Sequence, residues 1–233
     1  MKAMILAAGR GRRLAHLTNK IPKPMVSVAG KPVIDHTMDR LTDMGIDQIV
    51  INVHHLGEKL QSHLGNGQRW NASIHWSQEN ILLETGGGVC NALPLLGDEP
   101  FVVINGDILW DFALEPLIQS FDPARMDALL ALVDNPVDVK GDFVVDEHGR
   151  LQRGQGLDSF TYTGVQIINP KALREFAIEP FSLNRLYDVA MKSRRLFGKP
   201  ISGHWFDMGT PERLARAESI WNRLCCNSKG DQV

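Results

Sequence analysis

The sequence predicts an α/β fold, a mostly parallel sheet flanked by helices. Three observations carry that expectation. Short apolar runs alternate with helix-like stretches along the chain, the pattern of strands joined by crossover helices. One run, 101–104, is apolar at every position and ends in Asn105-Gly106-Asp107, as befits a central strand covered on both faces whose carboxyl end opens into a turn. The 233 residues, 43% hydrophobic and 22% charged, suffice for one domain with a substantial core.

Taken in order, a first strand covers 2–6 and leads into a Gly-, Arg- and Pro-containing segment, 7–31, too long for a mere connector. A helix over 33–44 places Ile34, Met38 and Leu41 on one face and stops at Gly45. A strand over 48–53, a helix over 56–64 and a strand over 72–76 follow, then a loop, 77–84. Gly86-Gly87-Gly88 opens a helical stretch, where missing side chains let another backbone or a ligand come close. Further strands are expected over 128–133, 143–145 and 162–168, and helices over 170–176, 183–191 and 211–224. Thr210 caps the last helix, with Pro211 as its first residue. Residues 1–224 are expected to form a single domain, and the polar tail 225–233 to fray.

Composition excludes several classes of function. A net charge of -2 argues against a duplex-binding protein that relies on global positive charge, so nucleic acid is not expected as a partner. No apolar run approaches the roughly 20 residues of a membrane span, and no charged n-region precedes the first strand, so a cytoplasmic protein is expected without membrane contact. Cys90 and the adjacent Cys225 and Cys226 make neither a C-x-x-C pair nor a disulfide framework. His54, His55, His63 and His75 lack the H-E-x-x-H spacing of a zinc site, and no G-x-S-x-G elbow is present.

Chemistry concentrates after the first strand, in Leu6-Ala7-Ala8-Gly9-Arg10-Gly11-Arg12-Arg13-Leu14 and the following Pro22-Lys23-Pro24. Glycines directly after a strand let backbone N–H groups turn towards an anion. Arg10, Arg12, Arg13, Lys20 and Lys23 gather positive charge there, for which a polyphosphate is the natural counterpart. Leu14 stands where a dinucleotide fingerprint needs glycine, and Gly11-Arg12-Arg13 where a P-loop needs Gly-Lys-Ser/Thr. Prolines on both sides of Lys23 stiffen the backbone around one charge. Asp107 and Asp207, each beside a glycine at the end of an apolar run, would repel at one sheet edge unless a divalent cation lay between them. Beside phosphates that cation is Mg²⁺.

Leu6-Ala7-Ala8-Gly9-x-Gly-x-Arg13-Leu14, Leu17-Thr18, Pro22-Lys23-Pro24, Asn105-Gly106-Asp107 and Asp207-Met208-Gly209-Thr210, in that order, resemble the signature of the sugar-1-phosphate nucleotidylyltransferases. Within that family, Leu83-Glu84-Thr85-Gly86-Gly87-Gly88 and the stop soon after Asp207 most resemble the short bacterial N-acetylmuramate-1-phosphate uridylyltransferases, with mannose-1-phosphate guanylyltransferases as nearest rival. The resemblance implies a Rossmann-like sheet of the nucleotide-diphospho-sugar transferase type. It implies catalytic roles for Arg13 and Lys23 and Mg²⁺ ligation by Asp107 and Asp207. Nucleotide binding would fall to Ala7, Ala8, Gly9, Gly11, Arg13, Lys23, Gln78, Glu84, Gly86, Gly87 and Asp107, and sugar binding to Gly141, Asp142, Thr163 and Gly164.

The implied reaction transfers a nucleotidyl group from a nucleoside triphosphate, UTP in this reading, to a sugar 1-phosphate, and releases pyrophosphate. A non-catalytic nucleotide-binding module is the alternative of another class. The sequence departs from the family pattern at Arg12, where Thr or Ser is common, and at His16, where Pro is usual. The Glu-Lys pair that many relatives place before the sugar-binding strand is not evident between Asp146 and Phe160, and Lys192 or Arg153 is the expected substitute. Glu84 stands where larger relatives have Gly; its carboxylate suits uracil N3–H and guanine N1–H equally. No hexapeptide repeat follows the catalytic motifs, and the oligomeric state is not readable.

Overall fold

A computed structural model describes residues 1–136 and 140–227, apart from the side chains of Arg12, Ala15, His16, Cys225, Cys226 and Asn227. In chain order the elements are β1 (Ala3–Leu6), α1 (Ala15–Thr18), β2 (Ser27–Val28), β3 (Lys31–Pro32), α2 (Val33–Asp43), β4 (Gln48–Val53), α3 (Gly57–Leu64), β5 (Ser73–Gln78) and α4 (Glu84–Leu96). There follow β6 (Phe101–Asn105), β7 (Ile108–Trp110), α5 (Glu115–Ser120), β8 (Ala128–Asp134), β9 (Phe143–Val145), β10 (Leu151–Arg153) and β11 (Ser159–Ile168). The last are α6 (Asn184–Lys192), β12 (Leu196–Pro200), β13 (Trp205–Asp207) and α7 (Pro211–Asn227).

The main sheet runs β10-β9-β11-β6-β1-β4-β5, with β8 joining β11 to β12. It is parallel from β6 through β1 and β4 to β5, and β11 turns it antiparallel. Strand alternation explains why the central runs are apolar throughout. In β6, Val102 and Ile104 enter a core with Ile34, Met38 and Leu41 of α2, while Phe101 and Val103 enter a second core with Val89 of α4 and Leu186 of α6. The face expected for α2 is therefore the face it buries. A third cluster seats Ala217 and Trp221 of α7 against Val28, Leu109 and Met208, which fixes the last helix beside the strand ends.

Several elements differ from the expectation. Segment 7–31 contains 3-10 turns at Arg12–Leu14 and Lys23–Met25, the short α1 and the start of a β2–β3 hairpin. The helix expected over 170–176 is a 3-10 turn, Pro170–Leu173, capped by the Asn169 side chain. Helix α7 continues to Asn227, through Cys225 and Cys226 that the expected tail included; residues 228–233 lie outside the described residues. None of the described helices is long and apolar enough to cross a membrane.

Candidate active site

The carboxyl ends of β1 and β6 open into two clefts that share Asn105 and Asp107. One, of about 390 Å³, is bordered by Ala7, Ala8, Gly9, Lys23, Glu84 and Thr85. The other, of about 570 Å³, lies between β11, β13 and the start of α7 and takes Arg13, Asp142, Thr163, Gly164 and Asp207. Both fall in the size range of small-molecule sites, and both lie where ligands bind open α/β sheets.

The first cleft is organised by a relay of buried groups. Asn52, on β4, accepts the Ala7 N–H at 2.7 Å and donates to Glu79 Oε1 at 2.7 Å. Glu79 Oε2 in turn accepts the Leu83 N–H at 2.9 Å. The chain after β1 is thereby tied to the segment that carries Glu84. Glu84 itself has φ of 59°, in the left-handed region that favours glycine.

The glycines divide by what surrounds them. A Cβ on Gly9 would meet nothing within 4 Å, so its space is open to the cleft. Gly11, with φ of 61°, packs against Thr18 and Lys23, and its carbonyl accepts the Thr18 hydroxyl at 2.8 Å; it shapes the loop and stands outside both clefts. Gly86 and Gly87 donate their N–H groups to the Phe181 carbonyl at 2.8 and 3.2 Å, and side chains there would collide with Phe181 and Glu179. The Phe181 carbonyl thus lies against both glycines. Gln78, at the end of β5, also stands outside the clefts.

Lys23 begins a 3-10 turn closed by Met25 N–H to the Pro22 carbonyl at 2.9 Å, and its ammonium pairs with Asp107. Gly106 leaves room for this approach, since a Cβ there would lie 3.0 Å from Pro24 and 2.7 Å from the Leu6 carbonyl. Asp207 is brought to Asp107 by pairing of β13 with β7, and the Met208 N–H donates to the Asp107 carbonyl at 3.2 Å. The two aspartates that the sequence holds 100 positions apart therefore border one cleft. Asp207 pairs with Arg213. Arg13 faces the same corner: a Cβ on Gly209 would sit 2.9 Å from Asp207 Oδ1 and 3.3 Å from the Arg13 guanidinium carbon.

On the opposite wall, Asp142 Oδ2 accepts the Tyr162 N–H at 2.9 Å. The Thr163 hydroxyl donates to the Ala131 carbonyl at 2.9 Å, and the Thr163 carbonyl accepts the Trp205 indole N–H at 2.6 Å. Gly164, with φ of 84°, occupies a shift in the β11–β8 register and lets the strand pass Asn105, whose Nδ2 would lie 2.6 Å from a Cβ. Gly141 packs under Ser159 and stands outside the clefts. Burial pushes the Tyr162 phenol well above its ordinary value and Tyr187 up to about 12, so both remain neutral hydrogen-bonding groups at neutral pH. The Glu212 carboxyl is held below its usual value by its own backbone N–H and the Thr210 hydroxyl.

Asp107 and Asp207 supply hard oxygen donors to one cleft, and no group of three or more metal-ligating side chains exists among the described residues. That donor set fits Mg²⁺, which commonly takes one or two carboxylates and completes its shell with phosphate oxygens and water. Neither Lys192 nor Arg153 borders the second cleft; Arg153 instead bonds Asn184 at 2.9 Å and Asp188 at 3.2 Å. The cations there are Arg13, Arg213 and Arg216. Sequence reasoning missed Asn52, Asn105 as the shared wall, and the α7 arginines. Their signal was the three-residue spacing of Arg213 and Arg216 directly after Asp207-Met208-Gly209-Thr210.

The nucleotidyl transferase family profile matches residues 2–157. The chain is 40% identical over 228 residues to the N-acetylmuramate alpha-1-phosphate uridylyltransferase of Neisseria meningitidis serogroup B, spanning 94% of this chain and 98% of that protein. It is 29% identical over 223 residues to the mannose-1-phosphate guanylyltransferase catalytic subunit beta of Danio rerio, 62% of whose length it spans. In fold it is similar to HddC from Yersinia pseudotuberculosis, with a TM-score of 0.79 at 24% identity over 94% of this chain and 99% of that one. The loop after β1, the aspartate at the end of β6 and the profile match over two thirds of the chain agree: the protein belongs to the nucleotidyl transferase family.

Proposed function

We propose that the protein transfers a uridylyl group from UTP to N-acetylmuramate 1-phosphate, giving UDP-N-acetylmuramate and pyrophosphate. The observation that carries the reaction class is the meeting of two clefts at Asn105 and Asp107, one opening beside Gly9 and Lys23 and the other beside β11. A reaction between two phosphate-bearing substrates needs such a junction. The choice of UTP and of the muramate is supported by the 40% identical uridylyltransferase, matched over 98% of its length.

In this reading the sugar phosphate oxygen attacks the α-phosphorus and the bond to the pyrophosphate oxygen breaks. A phosphate monoester has its second pKa near about 6, so the nucleophile is ionised at neutral pH and requires no general base. The obstacle is repulsion between two polyanions, and the protein answers it with charge and alignment. Lys23 stands at the junction, held by its proline-flanked turn, and meets charge growing on the α-phosphoryl oxygens. Gly9 leaves space for the triphosphate. Arg13, on the sugar side of the junction, meets phosphate charge beside Asp207. Asp107 and Asp207 would hold Mg²⁺, which when bound neutralises the triphosphate and polarises the phosphoryl oxygens. Glu84 would accept the uracil N3–H, and Asp142, with the main chain at Thr163 and Gly164, would border the sugar.

The test is pyrophosphate release with Mg²⁺, crossing UTP, GTP, dTTP, CTP and ATP against N-acetylmuramate, mannose and glucose 1-phosphates. Release confined to UTP with the muramate is expected. Release with GTP and mannose 1-phosphate would favour the reading suggested by the 29% identical relative, and silence from a folded protein that binds nucleotide would favour a regulatory module.

A further inference from the structure

Three arginines border the sugar-side cleft, and the carboxylates around them are unevenly engaged. Asp142 is occupied by the Tyr162 N–H. Glu212 is turned back on its own backbone N–H and the Thr210 hydroxyl at the start of α7. Asp207 carries Arg213 on Oδ2. Arg216 has no ion pair among the described residues, although it borders the same cleft and is exposed to it. Arg213 and Arg216 lie three positions apart on α7, so their side chains rise from one face of the helix. Ala217 and Trp221 pack that helix into the third core cluster, and Thr210 caps it by accepting the Arg213 N–H at 3.3 Å. The arginines are thus mounted on a fixed element.

A neutral hexose 1-phosphate gives this wall little to do. Its one anionic group would sit at the junction beside Asp107, where the other substrate is attacked, whereas Arg213 and Arg216 reach the cleft from α7, which packs on β13. A sugar that carries a second acid on its ring presents that acid away from the phosphate. Guanidinium groups bind carboxylates through paired N–H donors, which makes arginine the suited residue for such a group.

We infer that Arg213 and Arg216 form an acid-recognition subsite, which selects a sugar 1-phosphate bearing a carboxylate on the ring. Resting on the uridylyl-transfer reading above, it adds the residues and the ligand group that set the choice of sugar. For N-acetylmuramate 1-phosphate the group is the carboxylate of the lactyl ether. Arg216 is available in the structure as it stands, and Arg213 shares Asp207 with the cation expected there.

The experiment compares kcat/KM for N-acetylmuramate 1-phosphate and for its lactyl carboxamide, which keeps the shape and removes the charge, with UTP and the full-length protein. The wild type is expected to favour the acid at least about tenfold, the worth of a charge-assisted hydrogen bond. In the double variant Arg213→Gln/Arg216→Gln that ratio should fall towards one, through the KM for the acid, while Arg216→Lys retains part of it. Both positions are exposed, so circular dichroism should show an unchanged fold. A double variant that keeps the wild-type ratio would overturn the subsite. So would equal losses on both sugars, which would assign the arginines to the phosphate. A wild type that turns over neither sugar would contradict the reaction itself and the subsite with it.

Discussion

Lys23 owes its aim to its neighbours. Pro22 precedes a 3-10 turn, Pro24 is buried against the end of β6, and the ammonium meets Asp107 with 11% of its side chain exposed. The pair is only partly buried, so its loss should cost no more than about 1 kcal/mol of stability. Catalysis should suffer more: Lys23→Ala is expected to keep its melting temperature within a few degrees and to lose roughly 10²-fold in turnover, the worth of one donor aimed at developing charge. Paired calorimetry and initial rates check this, and normal turnover would remove Lys23 from the mechanism. Glu84 makes the opposite trade. An L-residue at φ of 59° is strained by about 1 kcal/mol, and the side chain kept there borders the nucleotide-side cleft. Glu84→Gly should therefore raise the melting temperature while narrowing the preference for UTP over CTP, whose base lacks the N3–H. At this scale the sequence singles out Lys23, Gly9 and both aspartates through local spacing, and the structure places all four along the two clefts. What lies over Gly86 and Gly87 was not legible, since only the tertiary approach of Phe181 and Glu179 decides what fills the space above a glycine.

Helix α4 and strand β4 meet at Gly88, and the contact ties the two halves of the nucleotide-side cleft together. Alanine normally stabilises a helix relative to glycine by about 1 kcal/mol. Here the added Cβ would lie 2.7 Å from Glu79 Oε1 and 2.8 Å from Asn52 Nδ2, inside the relay that holds the Ala7 N–H and the Leu83 N–H. The sign should reverse. Gly88→Ala is expected to destabilise by about 1–3 kcal/mol, the cost of opening a buried hydrogen-bond network, and urea unfolding reads it directly. A variant as stable as the wild type would show that the relay tolerates the displacement. Elements with a strong pattern, such as the periodic α2 and the continuously apolar run of β6, were legible from the sequence. The short partners β7 and β13 were not, because their pairing joins residues far apart in the chain. The arginines of α7 escaped for the same reason: which face of a helix meets a cleft is set by what it packs against.

Across the whole molecule, the parallel half of the sheet supplies the loop after β1 and the end of β6, and the antiparallel half supplies the second wall through β11. Strand β6 stands between the halves, so the two clefts meet at Asn105 and Asp107 beyond its end. The carboxyl-edge rule for α/β sheets made that location legible. The closing of the second cleft by β13 and α7 was not, since it depends on a return of the chain after β12. Uridylyl transfer is read out by phosphorus NMR of one reaction containing UTP, N-acetylmuramate 1-phosphate and Mg²⁺. The sugar monoester resonance should disappear in step with UTP while pyrophosphate and a sugar-linked diphosphate appear in equal amounts. Consumption of UTP with the sugar phosphate untouched, or no change from a folded protein that binds UTP, would contradict it.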